Sequence, residues 1–180
     1  ALLVGVGFAL QTFFQDIISG IFILIDQTVH VGDIIELDGK VGRVENITLR
    51  TTRAVTRDNK VLVIPNHKYL TTTLFNWTEN NKVTGESINV GVAYGTDVEK
   101  FKKVVLEIAT QHPDATKKKD PILLFQDFGD SSLDFTLIVF TENAFKGAMI
   151  KSDIRFAIEK ALRQNNIEIP FPQRVIHTSN

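Results

Sequence analysis

Catalysis and metal binding need particular side chains at particular spacings, and this chain of 180 residues carries few of either. Its four histidines, His30, His67, His112 and His177, are scattered. No two of them stand at i, i+4, and no acid completes a metal-ligand spacing beside them. Cysteine is absent, which removes disulfides, thiolate metal sites and a thiol nucleophile and leaves the redox compartment open. Gly5-Val6-Gly7 begins like a dinucleotide-binding fingerprint, but Leu10 stands where the third glycine belongs and no strand precedes it. Neither a glycine-rich phosphate loop nor a Gly-x-Ser-x-Gly elbow occurs. The expectation is a protein that is not an enzyme, with no catalytic residues, no cofactor and no metal. What stands out instead is an apolar run at the start of the chain in which Asp16 is the sole formal charge before Asp26, with small residues Gly5, Gly7, Ala9 and Gly20 set into it.

The first ten residues have no polar side chain. A secretory signal would show a basic start and a small-residue cleavage site, and neither is present. A full membrane span needs about 20 apolar residues, and Gln11, Thr12, Gln15 and Asp16 interrupt this one halfway, so two helical pieces are expected. In the first, Gly5 and Ala9 lie one helical turn apart with Gly7 beside them, a spacing that lets helix backbones approach closely in lipid. A glycine inside a helix costs about 1 kcal/mol relative to alanine, so two within three residues favour close packing over a helix buried in a soluble core. In the second, Phe13, Phe14, Ile17, Ile18, Ile21, Phe22 and Ile25 share one helical face while Gln11, Gln15 and Ser19 form a polar stripe. That pattern suits a helix lying along a membrane interface. Because the chain opens on Ala1 inside this run, it reads as a piece of a longer protein.

The elements downstream divide the chain into 1–27, 28–78 and 79–180. Strands are expected at 34–37, 41–47, 49–55, 61–64 and 72–75, with turns at Asp38-Gly39 and Asp58-Asn59 and a loop at Pro65-Asn66-His67. Short, closely spaced strands imply a small β-barrel or half-sandwich. Beyond 79–85, Ile88, Val90 and Val92 alternate as in a strand. Thr96 and Glu99 form a capping box for a helix with Val98, Phe101, Val105 and Ile108 inward, ended by Pro113. Strands at 122–128 and 133–140 follow. A second helix over 147–163 places Ile150, Ile154, Ala157 and Ala161 inward, and Asn165-Asn166 closes it. Strand, helix, two strands, helix is a ferredoxin-like order, whose last strand shrinks to Val175-Ile176-His177. The fold class is therefore α+β.

Charge narrows the partners. Twenty Lys and Arg balance 21 Asp and Glu, which gives no broad cationic surface for nucleic acid. A β domain of this size resembles Sm-like barrels, some of which form rings that hold RNA. Arg43, Arg50, Arg53 and Arg57 are present, but Tyr69 is the one aromatic residue in 31–74, a poor stacking platform. A ring-forming binding module and a peripheral membrane scaffold held by the amphipathic helix both stay open here.

Five strings in order point to a further reading beside these two: Gly-Phe-Ala-Leu-Gln at 7–11, Val-Gly-Asp at 31–33, Gly-Lys-Val-Gly-Arg-Val at 39–44, Val-Ile-Pro-Asn at 63–66 and Ile-Pro-Phe-Pro-Gln at 169–173. Together they resemble the MscS family of mechanosensitive channels across essentially the whole chain. The resemblance implies a homo-heptamer in the inner membrane, with a weakly selective pore that opens under membrane tension and protects against osmotic downshock. Its last transmembrane helix would line the pore, and its β and α/β domains would enclose a cytoplasmic vestibule closed by an oligomeric barrel of terminal strands. It also implies membrane lipid and permeant ions as partners and no nucleic acid. The family's constriction-lining leucines map to Val4 and Phe8; Gly5, Gly7 and Ala9 become the surfaces along which helices slide, and Gly20 a hinge. Thr12 replaces a glycine of the founding members, which puts a kink there in doubt. Asp16 stands where a neutral amide is common; it reads either as a helix-surface acid at the membrane interface or as one of a ring of copies near the inner mouth that would draw cations.

Overall fold

The computed structural model describes residues 2–80 and 82–174. The chain divides between Lys82 and Val83 into two compact units, and the terminal strand expected at Val175-Ile176-His177 lies outside the described residues.

The first unit opens with α1 (Leu2–Asp26), one unbroken helix where two pieces are expected from the sequence. The polar cluster does not interrupt it: Gln11, Thr12 and Gln15 stay exposed along the helix. Ser19 Oγ donates back to the Gln15 carbonyl at 2.6 Å, and Asp16 finds a partner outside the helix, described below. Five strands follow: β1 (Ile34–Leu37), β2 (Lys40–Ile47), β3 (Thr51–Thr56), β4 (Val61–Pro65) and β5 (Phe75–Asn76), with a one-turn helix α2 (Lys68–Thr71) before the last. They form an antiparallel sheet in the order β4-β3-β2-β1-β5, a ladder that no hydrogen-bonded pair closes among the described residues.

Asp38 and Gly39 both sit at positive φ, 50° and 72°. That is the pair of left-handed residues a two-residue hairpin needs, and it fixes the β1–β2 register Leu37↔Lys40. Strand β3 begins at Thr51 rather than at 49, because Thr48 makes a turn in which its hydroxyl donates to the Thr51 carbonyl (2.8 Å) and accepts from the Thr51 N–H (3.1 Å). The core of the unit is Val29, Ile35, Leu37, Val44, Ala54 and Ile64, with Ile23 the contribution of α1. Asp33 clasps β1 to β5: its carboxylate accepts from the His30 N–H (2.8 Å), Asn76 Nδ2 (2.9 Å) and Thr78 Oγ1 (2.9 Å).

The second unit runs β6 (Thr84–Val92), α3 (Val98–Gln111), β7 (Ile122–Phe128), β8 (Leu133–Thr141), a short 3-10 turn at Ala144–Lys146, and α4 (Gly147–Gln164). The antiparallel sheet has the order β6-β8-β7. Putting the third strand in the middle is the split ferredoxin-like arrangement. Alternate residues Leu133, Phe135, Leu137 and Val139 of β8 turn to the core and meet Phe101, Val105 and Ala109 of α3 and Ile150, Ile154, Ile158 and Leu162 of α4.

Two local expectations give way. Asp97, not Thr96, caps α3, its carboxylate accepting from the Lys100 N–H at 3.0 Å. On α4 the inner row continues from Ile154 to Ile158 and Leu162 in strict i, i+4 steps, leaving Ala157 and Ala161 at its half-buried margin. The larger apolar side chains fill the core volume better than the alanines beside them.

Candidate functional site

Helix α1 presents two faces with different company. Val4, Gly7, Phe8, Gln11, Phe14, Gln15 and Ile18 line one shallow face, and the chain covers none of the first half of it. Val4 is 61% exposed and Phe8 73%. Nothing lies within 4 Å of where a Cβ would sit on Gly5 or Gly7, and Ala9 is exposed. Val4 to Asp26 is long and apolar enough, by length and composition, to cross a membrane. A helix in the core of a soluble chain would have its apolar face covered; this one does not.

Roughly a third of a turn around the helix, Asp16, Ser19, Gly20 and Ile23 are buried. They rest on a seat made from the β2–β3 turn and the turn joining β4 to α2. At Gly20 the helix backbone comes so close that a Cβ would meet Asn66 Nδ2 at 2.6 Å and the Leu49 carbonyl carbon at 2.7 Å, with the Leu49 oxygen nearer still. Only glycine fits such an approach. Asn66 is fully buried and satisfied on every side: Oδ1 accepts from Thr52 Oγ1 (2.9 Å), Nδ2 donates to the Thr48 carbonyl (2.8 Å) and its N–H to the Arg50 carbonyl (3.0 Å). It ties the two turns of the seat into one rigid piece.

Asp16 completes the seat. Its Oδ1 accepts from the His67 N–H at 3.0 Å and lies 2.7 Å from His67 Nδ1. Asp16, expected as a possible pore-mouth charge, is 7% exposed; burying an acid on an apolar helix requires a partner, and His67 is that partner. Gly20, expected as a hinge, sits at the tightest contact of the helix with the β sheet. Sequence reasoning picked out Val-Ile-Pro-Asn at 63–66 without giving Asn66 or His67 a role. The available signal was the lone acid at 16, which had to be answered from elsewhere in the chain.

No group of three or more metal-ligating side chains occurs among the described residues. Of the four arginines weighed as a nucleic-acid surface, Arg50 already lies over the Phe13 ring (4.8 Å) and Arg57 over the Trp77 ring (5.6 Å).

Family comparisons agree with this geometry. The mechanosensitive ion channel β-domain matches residues 12–79, and the C-terminal domain of the mechanosensitive ion channel MscS matches residues 86–169. The chain belongs to the MscS family of mechanosensitive channels. It is 36% identical over 180 residues to the mechanosensitive channel MscK of Escherichia coli, covering all of this chain and 16% of that protein. To the small-conductance mechanosensitive channel of Helicobacter pylori it is 30% identical over 179 residues, covering 98% of this chain and 64% of that one. The crystal structure of Helicobacter pylori MscS in its closed state superposes with a TM-score of 0.84 at 29% identity, over 99% of this chain and 70% of that one. The chain thus spans about a sixth of MscK and just under two thirds of the curated Helicobacter relative. The β-domain match begins at residue 12, so it takes in the seated half of α1 and leaves out the uncovered half.

Proposed function

We propose that this chain is the pore-helix and cytoplasmic part of a subunit of a homo-oligomeric channel, a heptamer by its resemblance, that opens a weakly selective pore under membrane tension and protects a cell against osmotic downshock. The observation that carries this reading is the uncovered apolar first half of α1, continuous with a second half held by the β sheet. Copies of the helix arranged around an axis would cover one another through Gly5, Gly7 and Ala9, which leave room for close backbone approach. Val4 and Phe8 would then face the bore. A ring of such side chains expels water, and an ion stripped of water meets a high desolvation barrier, so closure needs no plug. Tension favours the wider arrangement, in which the helices separate and the bore wets. No charged side chain occurs in 1–15, and Asp16 is buried, so the constriction itself discriminates weakly between ions. In this reading the parts are 1–27 as pore and interfacial helix, 28–78 as β domain and 79–180 as α/β domain, the last two on the cytoplasmic side of the inner membrane, with lipid along the exposed face of α1.

The test is a patch recording of the full-length protein in membranes lacking other such channels, under stepped suction. Pressure-gated steps are expected, and Phe8→Ser is expected to hydrate the constriction, lowering the opening pressure or producing leak. An unaltered threshold in that variant places the gate elsewhere; silence up to membrane rupture refutes the channel reading.

A further inference from the structure

The seat of α1 contains a titratable group that the channel reading does not use. Among the charges of the helix before Asp26, Asp16 stands alone, and it meets a histidine rather than an arginine or lysine. The side chain of Asp16 is 9% exposed and that of His67 24%. The imidazole therefore grips a nearly dry carboxylate while part of its ring opens toward a cleft of about 150 Å³ lined by Gln15, Ile18, Ser19, His67, Leu70 and Thr71. Protons have a route to the ring, and the carboxylate has little water to replace it.

We propose that His67 makes the seating of the helix proton-dependent: the β sheet holds α1 more tightly when the imidazole is protonated, so that acidification on the side facing the β unit favours the seated helix. The neutral ring with its proton on Nδ1 already donates to Asp16. The acceptor is already ionised; a second proton on the ring adds the attraction of opposite charges to the same contact, in a place with little water to screen it. A proton that binds the seated form better than the unseated one must, by linkage, favour seating as pH falls. Histidine changes charge between about pH 5 and 8, within the range a cell visits.

The surrounding charges leave this to His67. From the β2–β3 turn, Arg50 acts on Asp16, and its guanidinium keeps its charge throughout that range. From α2, Lys68 turns away to Asp38 at 3.1 Å, and Thr71 contributes only a hydroxyl bonded to the His67 carbonyl. From α1, Gln15 and Ser19 are neutral.

The seating claim does not depend on conduction; its consequence for gating rests on the channel reading. The experiment has two arms on the full-length protein in lipid nanodiscs or patches, each at pH 6 and pH 8. In the first, hydrogen exchange of the His67 amide, which donates to Asp16 and is released only on unseating, is corrected for the intrinsic pH effect. Protection is expected to be about fivefold higher at pH 6, the size of effect a partly exposed ion pair contributes. It is expected to lose that dependence in His67→Gln and in Asp16→Asn, which keep polar groups at the contact but not the titrating pair. Equal protection at the two pH values in the wild type, or dependence that survives His67→Gln, overturns the proposal. In the second arm the opening pressure is recorded at both values of pH on the β-unit side; a shift in wild type that is missing in His67→Gln supports the gating consequence. Proton-dependent protection in a silent protein keeps the seat and removes the channel. Normal pressure gating with pH-independent protection removes the proposal and keeps the channel.

Discussion

Replacing Gly20 by alanine adds one methyl group at the tightest point between α1 and its seat. The new Cβ would stand 2.6 Å from Asn66 Nδ2 and 2.7 Å from the Leu49 carbonyl carbon. Ordinary carbon contacts begin at about 3.5 Å, so helix and turn must separate by about 1 Å. Leu49 contributes backbone, which has no rotamer to yield, and Asn66 is locked by three hydrogen bonds. Overpacking of this kind costs about 1–3 kcal/mol. Lengthening the Asp16–His67 contact removes about 1.5–3 kcal/mol more, as a hydrogen bond to a charged group. Alanine returns about 1 kcal/mol through helix propensity. The balance is a loss of about 1.5–5 kcal/mol from seating, and at 1.4 kcal/mol per factor of ten this is roughly a tenfold or greater fall in protection of the His67 amide. The control is Gly7→Ala, where nothing lies within 4 Å and the same amide is expected to keep its protection. Unchanged protection in Gly20→Ala, or an equal fall in both variants, would refute the close-contact argument.

Three further outcomes are expected. Gly147, the first residue of α4, lies against the Glu86 carboxylate, which is buried and paired with Lys151 at 2.9 Å; Gly147→Ala is expected to displace that pair and destabilise the second unit by about 1–3 kcal/mol, read as a lower calorimetric transition, and no shift would show that Glu86 swings away freely. For Asp33, burial alone would raise the carboxyl, but hydrogen bonds from the His30 N–H, Asn76 and Thr78 outweigh it and hold it below the usual carboxylate range. Its contribution to stability is therefore present above about pH 4 and lost as pH falls through the lowered folded value, so the wild type should lose more stability between about pH 4 and pH 2 than Asp33→Asn, and parallel acid limbs would contradict this. In the β3–β4 turn, hydrogen bonds from Lys60 and Thr56 bring the exposed Asp58 carboxyl down to about 2; a carboxyl-carbon titration by NMR is expected to find its midpoint there and to find it higher in Lys60→Ala.

Local chemistry made much of this fold legible. Asp38-Gly39 announces a hairpin because both residues tolerate positive φ, and the alternation of Leu133, Phe135, Leu137 and Val139 announces a half-buried strand. Pro113 ends α3 as expected. What escaped is what depends on distant partners. For Asp16 and Gly20, the sequence offers no sign of the hydrogen bonds from His67 or of the close approach to Leu49 and Asn66, which arise only when residues 48–50 and 66–67 fold beneath α1. The inner row of α4 escaped for a related reason, since Ala157 and Ile158 are adjacent around the helix and the sheet opposite decides which is covered.

The way α1 is held bears on what such a helix can do. Its seated half gives the hydrophobic core one deeply buried side chain, Ile23, worth about 1.5–3 kcal/mol; the rest of the contact is the fit at Gly20 and the two hydrogen-bond contacts of His67 with Asp16. Phe14, Ile18, Ile21, Phe22 and Ile25 stay exposed, so lifting the helix would uncover little further apolar surface and would mainly exchange the Asp16–His67 bond for water. A helix packed by a broad apolar face would pay far more to leave. Because α1 is unbroken from Leu2 to Asp26, a shift of its seated half carries the half bearing Val4 and Phe8 with it. A joint that is geometrically exact yet inexpensive to open is what the proposed tension-driven displacement of α1 against the β sheet requires.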